Sequence, residues 1–436
     1  MPLRRASPIA LLVILAFASS SCRSAGAEEV ALGRWEGRVD LGEGEEPISL
    51  RVLESGGLLD LPARSLFGYP LASFSREGGR LAFAFPWAAG ELFFSAAPPA
   101  GGGELLEGRW VGPGESSGAF ALALSPPSSA GLDYEVLGRT ARLPGSLLLP
   151  EGDGSGLPVV LILAGSGAID RDGNNYSVPG RSDSLKALAE GLAACGVASL
   201  RYDKRGSGEA YVLVAREEEL CFDDYVADAV DALRGLASDG RFARVTLAGH
   251  GEGALVAAAA LADFYEAGLA AGREGDFGLA LLCAPAASPL ETLLGELESL
   301  PEERRAEAKS IVAAILEGRI REDLDPFFED FFRPSIQPYL ASSFRYDLGA
   351  ELRRTSAPLV ILQGGRDSRP PLEAIERLRE ARPDAGAVVL EGMGGALKEL
   401  GPGPDAAYAA FTDPTLPLAG GLAETLADFA RSGSVD

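Results

Sequence analysis

Arg244-Val-Thr-Leu-Ala-Gly-His-Gly-Glu-Gly-Ala-Leu-Val-Ala257 runs an apolar strand into a helix of small residues through a turn built on Gly249, Gly251 and Gly253. When the middle residue of such a turn is a serine, its hydroxyl stands at a helix N-terminus, ready for nucleophilic chemistry, while the flanking glycines let backbones pass closely. Here the middle residue is Gly251, which has no side chain. Glycines after a strand also build dinucleotide-binding loops, so this pattern alone does not choose a chemistry. The chain contains one histidine, His250, immediately before the central position. It cannot also swing round to serve as a base held by a distant carboxylate.

Other groups offer little to replace the missing hydroxyl. Glu252 belongs to the first helical turn, where a carboxylate favours the helix N-terminus. Ser166, in Gly165-Ser166-Gly167, has no histidine to activate it. Asp170, Arg171 and Asp172 could hold a polar ligand, but read better as an ion-pair knot fixing their loop. One histidine and scattered cysteines argue against a metal site, and no cofactor is expected. Cys195, Cys221 and Cys283 lack CxxC spacing and read as buried free thiols.

Two patterns of elements surround these residues. From residue 29 to 126, alternating runs such as Ile48–Leu53, Leu81–Phe85, Leu92–Ser95 and Phe120–Leu124, punctuated by Gly, Pro and Ser, predict a small all-β domain. Gly-Arg-Trp recurs at 33–35 and 108–110, either by chance or because two strands meet there with Trp35 and Trp110 in a core. From 133 to 436, continuous apolar runs alternate with helical stretches, which predicts a mainly parallel sheet covered on both faces. An insertion over about 287–350 reads as a helical cap above the carboxyl ends of the strands. Its phenylalanines Phe327, Phe328, Phe331 and Phe332 either line a pocket or pack the cap onto the body.

Further motifs join the turn in a fixed order: Gly138-Arg-Thr-Ala-Arg-Leu-Pro-Gly-Ser-Leu-Leu-Leu-Pro150, Leu163-Ala-Gly-Ser-Gly-Ala-Ile-Asp-Arg-Asp-Gly-Asn174, Leu200-Arg-Tyr-Asp-Lys-Arg-Gly-Ser-Gly208, Gln363-Gly-Gly-Arg-Asp367 and Glu391-Gly-Met-Gly-Gly-Ala-Leu-Lys398. Together they resemble the bacterial secreted α/β-hydrolases of the serine esterase and serine aminopeptidase-like kind that carry an N-terminal β domain. The resemblance implies an α/β-hydrolase fold, an oxyanion loop at Gly165-Ser166-Gly167, the triad acid at Asp367, the nucleophile position at Gly251 and the histidine position at Gly395. Two of the three catalytic side chains are therefore missing, and no Ser-His-Asp relay can be assembled.

The first residues, MPLRRASPIALLVILAFASSSC, combine a basic start with an apolar run from Pro8 to Ala18 that is too short for a stable membrane helix. They read as an export signal over 1–21, with lipidation of Cys22 and a tether over 22–28; ordinary cleavage after Ala27 is the alternative. The protein is then expected in the cell envelope, held to a membrane by a lipid anchor alone. A net charge of −24 makes nucleic acid a poor partner. Three roles follow: a pseudoenzyme that binds a small-molecule ligand or partner through Gly165, Ser166, Gly167 and Glu252; a weak or unconventional ester or peptide hydrolase; or a structural lipoprotein, working beside an active paralogue.

Overall fold

The computed structural model describes residues 30–435 apart from 43, 54–55, 62–63, 65, 78, 88–89, 98–104, 125–130, 153–154, 176–179, 215 and 368. The export signal, the tether and Cys22 lie outside the described residues. The chain divides into two compact units, Met1–Leu61 with Tyr69–Pro127, and Pro62–Gly68 with Ser128–Asp436. No helix among the described residues is long and apolar enough to cross a membrane.

The N-terminal region forms a nine-stranded sheet in the order Leu66–Pro70, Gly56–Leu61, Glu45–Leu53, Gly33–Asp40, Ser117–Leu124, Leu105–Val111, Gly90–Ala97, Arg80–Trp87 and Ser73–Glu77. Alternation sets its faces: along Gly90–Ala97 every second residue is buried, the period of a pleated strand. Phe83, Phe94 and Phe120 pack ring against ring in its core. Trp35 and Trp110 are both buried. Their strands do not meet, however, because Ser117–Leu124 lies between them and pairs with both.

The second unit holds an eight-stranded sheet, β1 (Leu132–Leu137), β2 (Arg142–Leu148), β3 (Leu157–Leu163), β4 (Ala198–Tyr202), β5 (Phe242–His250), β6 (Phe277–Leu282), β7 (Leu359–Gly364) and β8 (Gly386–Leu390). Its order is β1-β2-β4-β3-β5-β6-β7-β8, and only β2 pairs antiparallel with its neighbours β1 and β4. Both faces are covered, which is why β3 reads as an unbroken apolar run. Val159, Leu161 and Leu163 point into the core shared with α2 (Phe222–Ser238) and α3 (Gly253–Glu266). Val160 and Ile162 point the other way, into the core shared with α1 (Ser184–Ala194) and the helix Leu422–Ser432.

Between β6 and β7 lies the cap, comprising α4 (Pro289–Leu297), α5 (Glu302–Leu316), α6 (Glu329–Phe332) and α7 (Gln337–Ser343). A capping box starts it: Ser288 Oγ accepts the Glu291 amide at 3.2 Å, and Glu291 accepts the Ser288 amide at 2.9 Å. The four phenylalanines split. Phe328 and Phe332 fill a core inside the cap with Ile311, Val312 and Ile315, whereas Phe327 and Phe331 are exposed.

Candidate functional site

β5 ends at His250, and the chain reverses at Gly251, whose φ of +55° lies in the left-handed region that favours glycine. The Gly251 amide donates to Leu282 O at 2.9 Å and the Ala254 amide to Gly251 O at 3.1 Å, fastening the turn to β6 and into α3. A β-carbon at Gly253 would stand 2.5 Å from Leu163 O and 2.6 Å from Ala164 O, so α3 can start against β3 only because that residue is glycine. A β-carbon at Gly251 would meet nothing nearer than the Gly165 Cα at 3.9 Å. The place for a nucleophile's side chain is open, and no side chain stands there.

Asp367 follows β7 and is held toward the turn after β8, where the Gly365 amide donates to Leu390 O at 2.9 Å and the Arg366 amide to Met393 O at 3.0 Å. A β-carbon at Gly395 would lie 3.1 Å from Asp367 Oδ1 and 3.3 Å from Oδ2. Position 395 therefore adjoins the acid, as a histidine partner would have to, but offers it nothing. Asp367 Oδ1 accepts the Arg369 amide at 2.9 Å, while Oδ2 is buried with no hydrogen-bond partner among the described residues. Burial pushes this carboxyl above its ordinary range, partly countered by the Arg369 amide and then by the neighbouring Cys283 thiol.

His250 is committed elsewhere. Its Nε2 lies 2.7 Å from Gly395 O, and since a carbonyl only accepts, Nε2–H is the donor. Burial holds the imidazole below its usual pKa, against the pull of that hydrogen bond, which favours the neutral ring. The single histidine thus bonds to the backbone of Gly395, the position expected from the sequence to carry a histidine, and not to Asp367.

The oxyanion-loop residues are only partly assembled. Gly165 lies against the turn, but Ser166 and Gly167 are exposed, and the Gly165 carbonyl accepts from Lys204 Nζ. Glu252 occupies the N-cap position of α3 without a side-chain capping bond; its Oε1 accepts the Tyr339 hydroxyl of α7 at 3.1 Å. A cavity of about 20 Å³ opens beside it, lined by Leu163, Ala164, Lys204, Tyr225, Glu252 and Val256 among others. Lys204, Tyr225 and Tyr339 escape a reading of the sequence for nucleophiles and bases. The available signal was position, since Lys204 follows β4 at the same sheet edge that carries Gly251 and Asp367. Cys283, read from the sequence as a buried free thiol, is one: it follows β6 at φ +48°, and burial followed by the Asp367 charge raises its thiol pKa well above normal, which disfavours the reactive thiolate. Cys195 and Cys221 are free and half-buried, less enclosed than their sequence contexts predict.

Asp170, Arg171 and Asp172 form the expected knot. Arg171 pairs with Asp203 at 3.0 Å and Glu209 at 2.8 Å, and the buried Arg201 pairs with Asp172 at 2.9 Å. Asp170 accepts the Asp172 and Asn174 amides, both at 2.9 Å, closing the loop on itself. Burial and the neighbouring charges of Asp172 and Asp203 push its carboxyl up to about 7. Among the described residues no three His, Cys, Asp or Glu side chains group so as to hold a metal.

Residues 180–308 match the family model described as serine aminopeptidase, S33. No curated protein matches the chain. Among solved structures, Est1E from Butyrivibrio proteoclasticus is 18% identical, with a TM-score of 0.43 over 60% of this chain and 90% of its own. The esterase domain of a Rhodothermus marinus protein is 18% identical, with a TM-score of 0.37 over 64% of this chain and 94% of its own. A dienelactone hydrolase from Anabaena variabilis is 16% identical, with a TM-score of 0.38 over 69% of this chain and 95% of its own. The strand order, the glycine turn leaving β5 and the family match make the second unit an α/β-hydrolase fold, preceded in the chain by an antiparallel β region.

Proposed function

We propose that this protein is a pseudoenzyme, an α/β-hydrolase fold that binds a small ligand beside its glycine turn without hydrolysing it. One observation carries the reading. A side chain at 395 would adjoin Asp367 and the turn at Gly251 has room for one, yet both positions are glycine and the only histidine donates to a backbone carbonyl. Without a base, a hydroxyl or water at the turn is a poor nucleophile. The small cavity limits what could enter beside Glu252 to about one non-hydrogen group. A larger ligand would have to displace Tyr339 and the cap.

The test is a fluorophosphonate probe with a panel of short-chain and aryl esters, applied to the purified full-length protein. Unlabelled protein and no turnover above blank are expected. Labelling of a defined residue, or turnover that tracks the protein through purification, would instead support the weak-hydrolase alternative.

A role in binding a protein partner, an active paralogue included, is favoured by a different feature, the exposed Phe327 and Phe331 on the cap. Export and lipid anchoring at Cys22 belong to the proposal on the strength of the N-terminal sequence alone. Cys22→Ala should abolish incorporation of labelled palmitate and release the protein from the membrane fraction; membrane retention without lipid would reject the anchor.

A further inference from the structure

The cap exposes apolar side chains that its own core does not use. Within residues 316–331, Leu316 and Ile320 are each 54% exposed, Phe327 41% and Phe331 62%. Phe328 and Phe332 turn inward, so Phe327 and Phe331, each one residue earlier and one helical turn apart, share the outward side. Single apolar residues are ordinary on a surface, but four in so short a segment are the kind of concentration that marks a contact site.

The charge of the same segment says what would cover it. Glu322, Asp323, Asp325 and Glu329 are exposed, and none of them forms an ion pair among the described residues. The two bases there are engaged, Arg319 with Glu317 and Arg321 with Ser310 Oγ. One guanidinium already lies on this surface. Arg304 of α5 has its Cζ 3.9 Å from the centre of the Phe327 ring and no carboxylate partner among the described residues. An aromatic face attracts a flat cation, and carboxylates beside the ring add to that attraction. Phe331, the more open ring, carries no such cation among the described residues.

We propose that the outward face of the cap docks a cationic amphipathic segment of a partner protein. An arginine of that segment lies on Phe331 as Arg304 lies on Phe327, its apolar residues cover the two rings, and its remaining cations face Glu322, Asp323 and Glu329. Arginine suits the place better than lysine, because a planar guanidinium stacks on a ring and still reaches a carboxylate. Nucleic acid and anionic membranes are repelled by the same carboxylates, and a second copy of this chain would set its own acids against them. The inference rests on the partner-binding reading of the cap and is independent of whether the glycine turn catalyses.

Full-length protein is titrated with a fluorescein-labelled helical peptide that has leucines on one face and arginines on the other, and anisotropy is read at low and at physiological salt. A saturable isotherm that weakens as salt rises is expected. Phe331→Ala should raise Kd about tenfold, and Glu329→Lys should weaken binding and flatten its salt dependence; both side chains are exposed, so circular dichroism should report folded variants. Because the whole chain is acidic, the control is Glu151→Lys, an exposed site in the turn before β3, which makes the same charge change away from the cap and should leave Kd unchanged. Equal losses in Glu329→Lys and Glu151→Lys, or no loss in Phe331→Ala, would overturn the proposal in favour of general attraction to an acidic protein. Self-association that Phe331→Ala abolishes would overturn it in favour of a contact between copies. A peptide with glutamates in place of the arginines separates this inference from the reading beneath it: Phe331-dependent binding of that peptide keeps the docking face and defeats the cationic partner, whereas Phe331-dependent binding of neither peptide defeats both.

Discussion

The two sides of the sheet's carboxyl edge have different characters. On the side of β3 and β4, Arg171, Arg201, Asp172, Asp203 and Glu209 interlock in ion pairs that hold the loop. On the side of β5 and β7, Asp367 has one backbone donor, Gly251 and Gly395 have no side chains, and His250 is bonded to the Gly395 carbonyl. The first set of residues holds the fold together and is intact. In the pseudoenzyme reading, the second would have held only a reaction. Once a reaction is not required, a serine at a left-handed turn and a buried acid cost stability and return none.

If that contrast is right, damage to the first side should dominate. Arg201→Ala would leave Asp172 without the cation that holds its pKa down and should cost about 3–5 kcal/mol in urea unfolding, as for other broken buried pairs. Gly253→Ala, which forces a methyl against the Leu163 and Ala164 carbonyls, should cost about 1–3 kcal/mol in the same measurement. Gly251→Ser should cost about 1 kcal/mol, because the room is open and only the backbone conformation is strained; it should show no esterase activity. The smallest change has the opposite sign. The raised carboxyl of Asp367 means that the folded state disfavours its charge, a penalty absent below the unfolded-state pKa and present at neutral pH. Asp367→Asn should therefore raise the melting temperature slightly at pH 7, with the gain fading as the pH falls toward about 4; a loss of stability at pH 7 would mean that the acid still has a working partner.

The sequence makes the frame of this site readable and its present occupants much less so. Continuous apolar runs identify the parallel strands because both faces of β3 and its neighbours are buried, and Gly249, Gly251 and Gly253 identify the turn because close backbone approach admits little else. Position 395 could be paired with Asp367 by motif order, and their adjacency follows from the stitched turns after β7 and β8. What pattern does not carry is where a long side chain goes. Nothing in Arg-Tyr-Asp-Lys-Arg-Gly says that Lys204 folds back onto Gly165, or that Tyr339, 87 residues after Glu252, reaches its carboxylate. The recurring Gly-Arg-Trp was misleading in the same way: both tryptophans are buried, yet a third strand separates them.

The central claim is that the frame is kept and two side chains are absent. It is tested most directly by ester turnover of the wild-type protein beside Gly251→Ser, Gly395→His and the double variant, since triad residues act as a unit. The account predicts blanks for the wild type and both single variants, and a rate above blank for the double variant only. Wild-type turnover that vanishes in Asp367→Asn, or a folded double variant that stays inert, would contradict it.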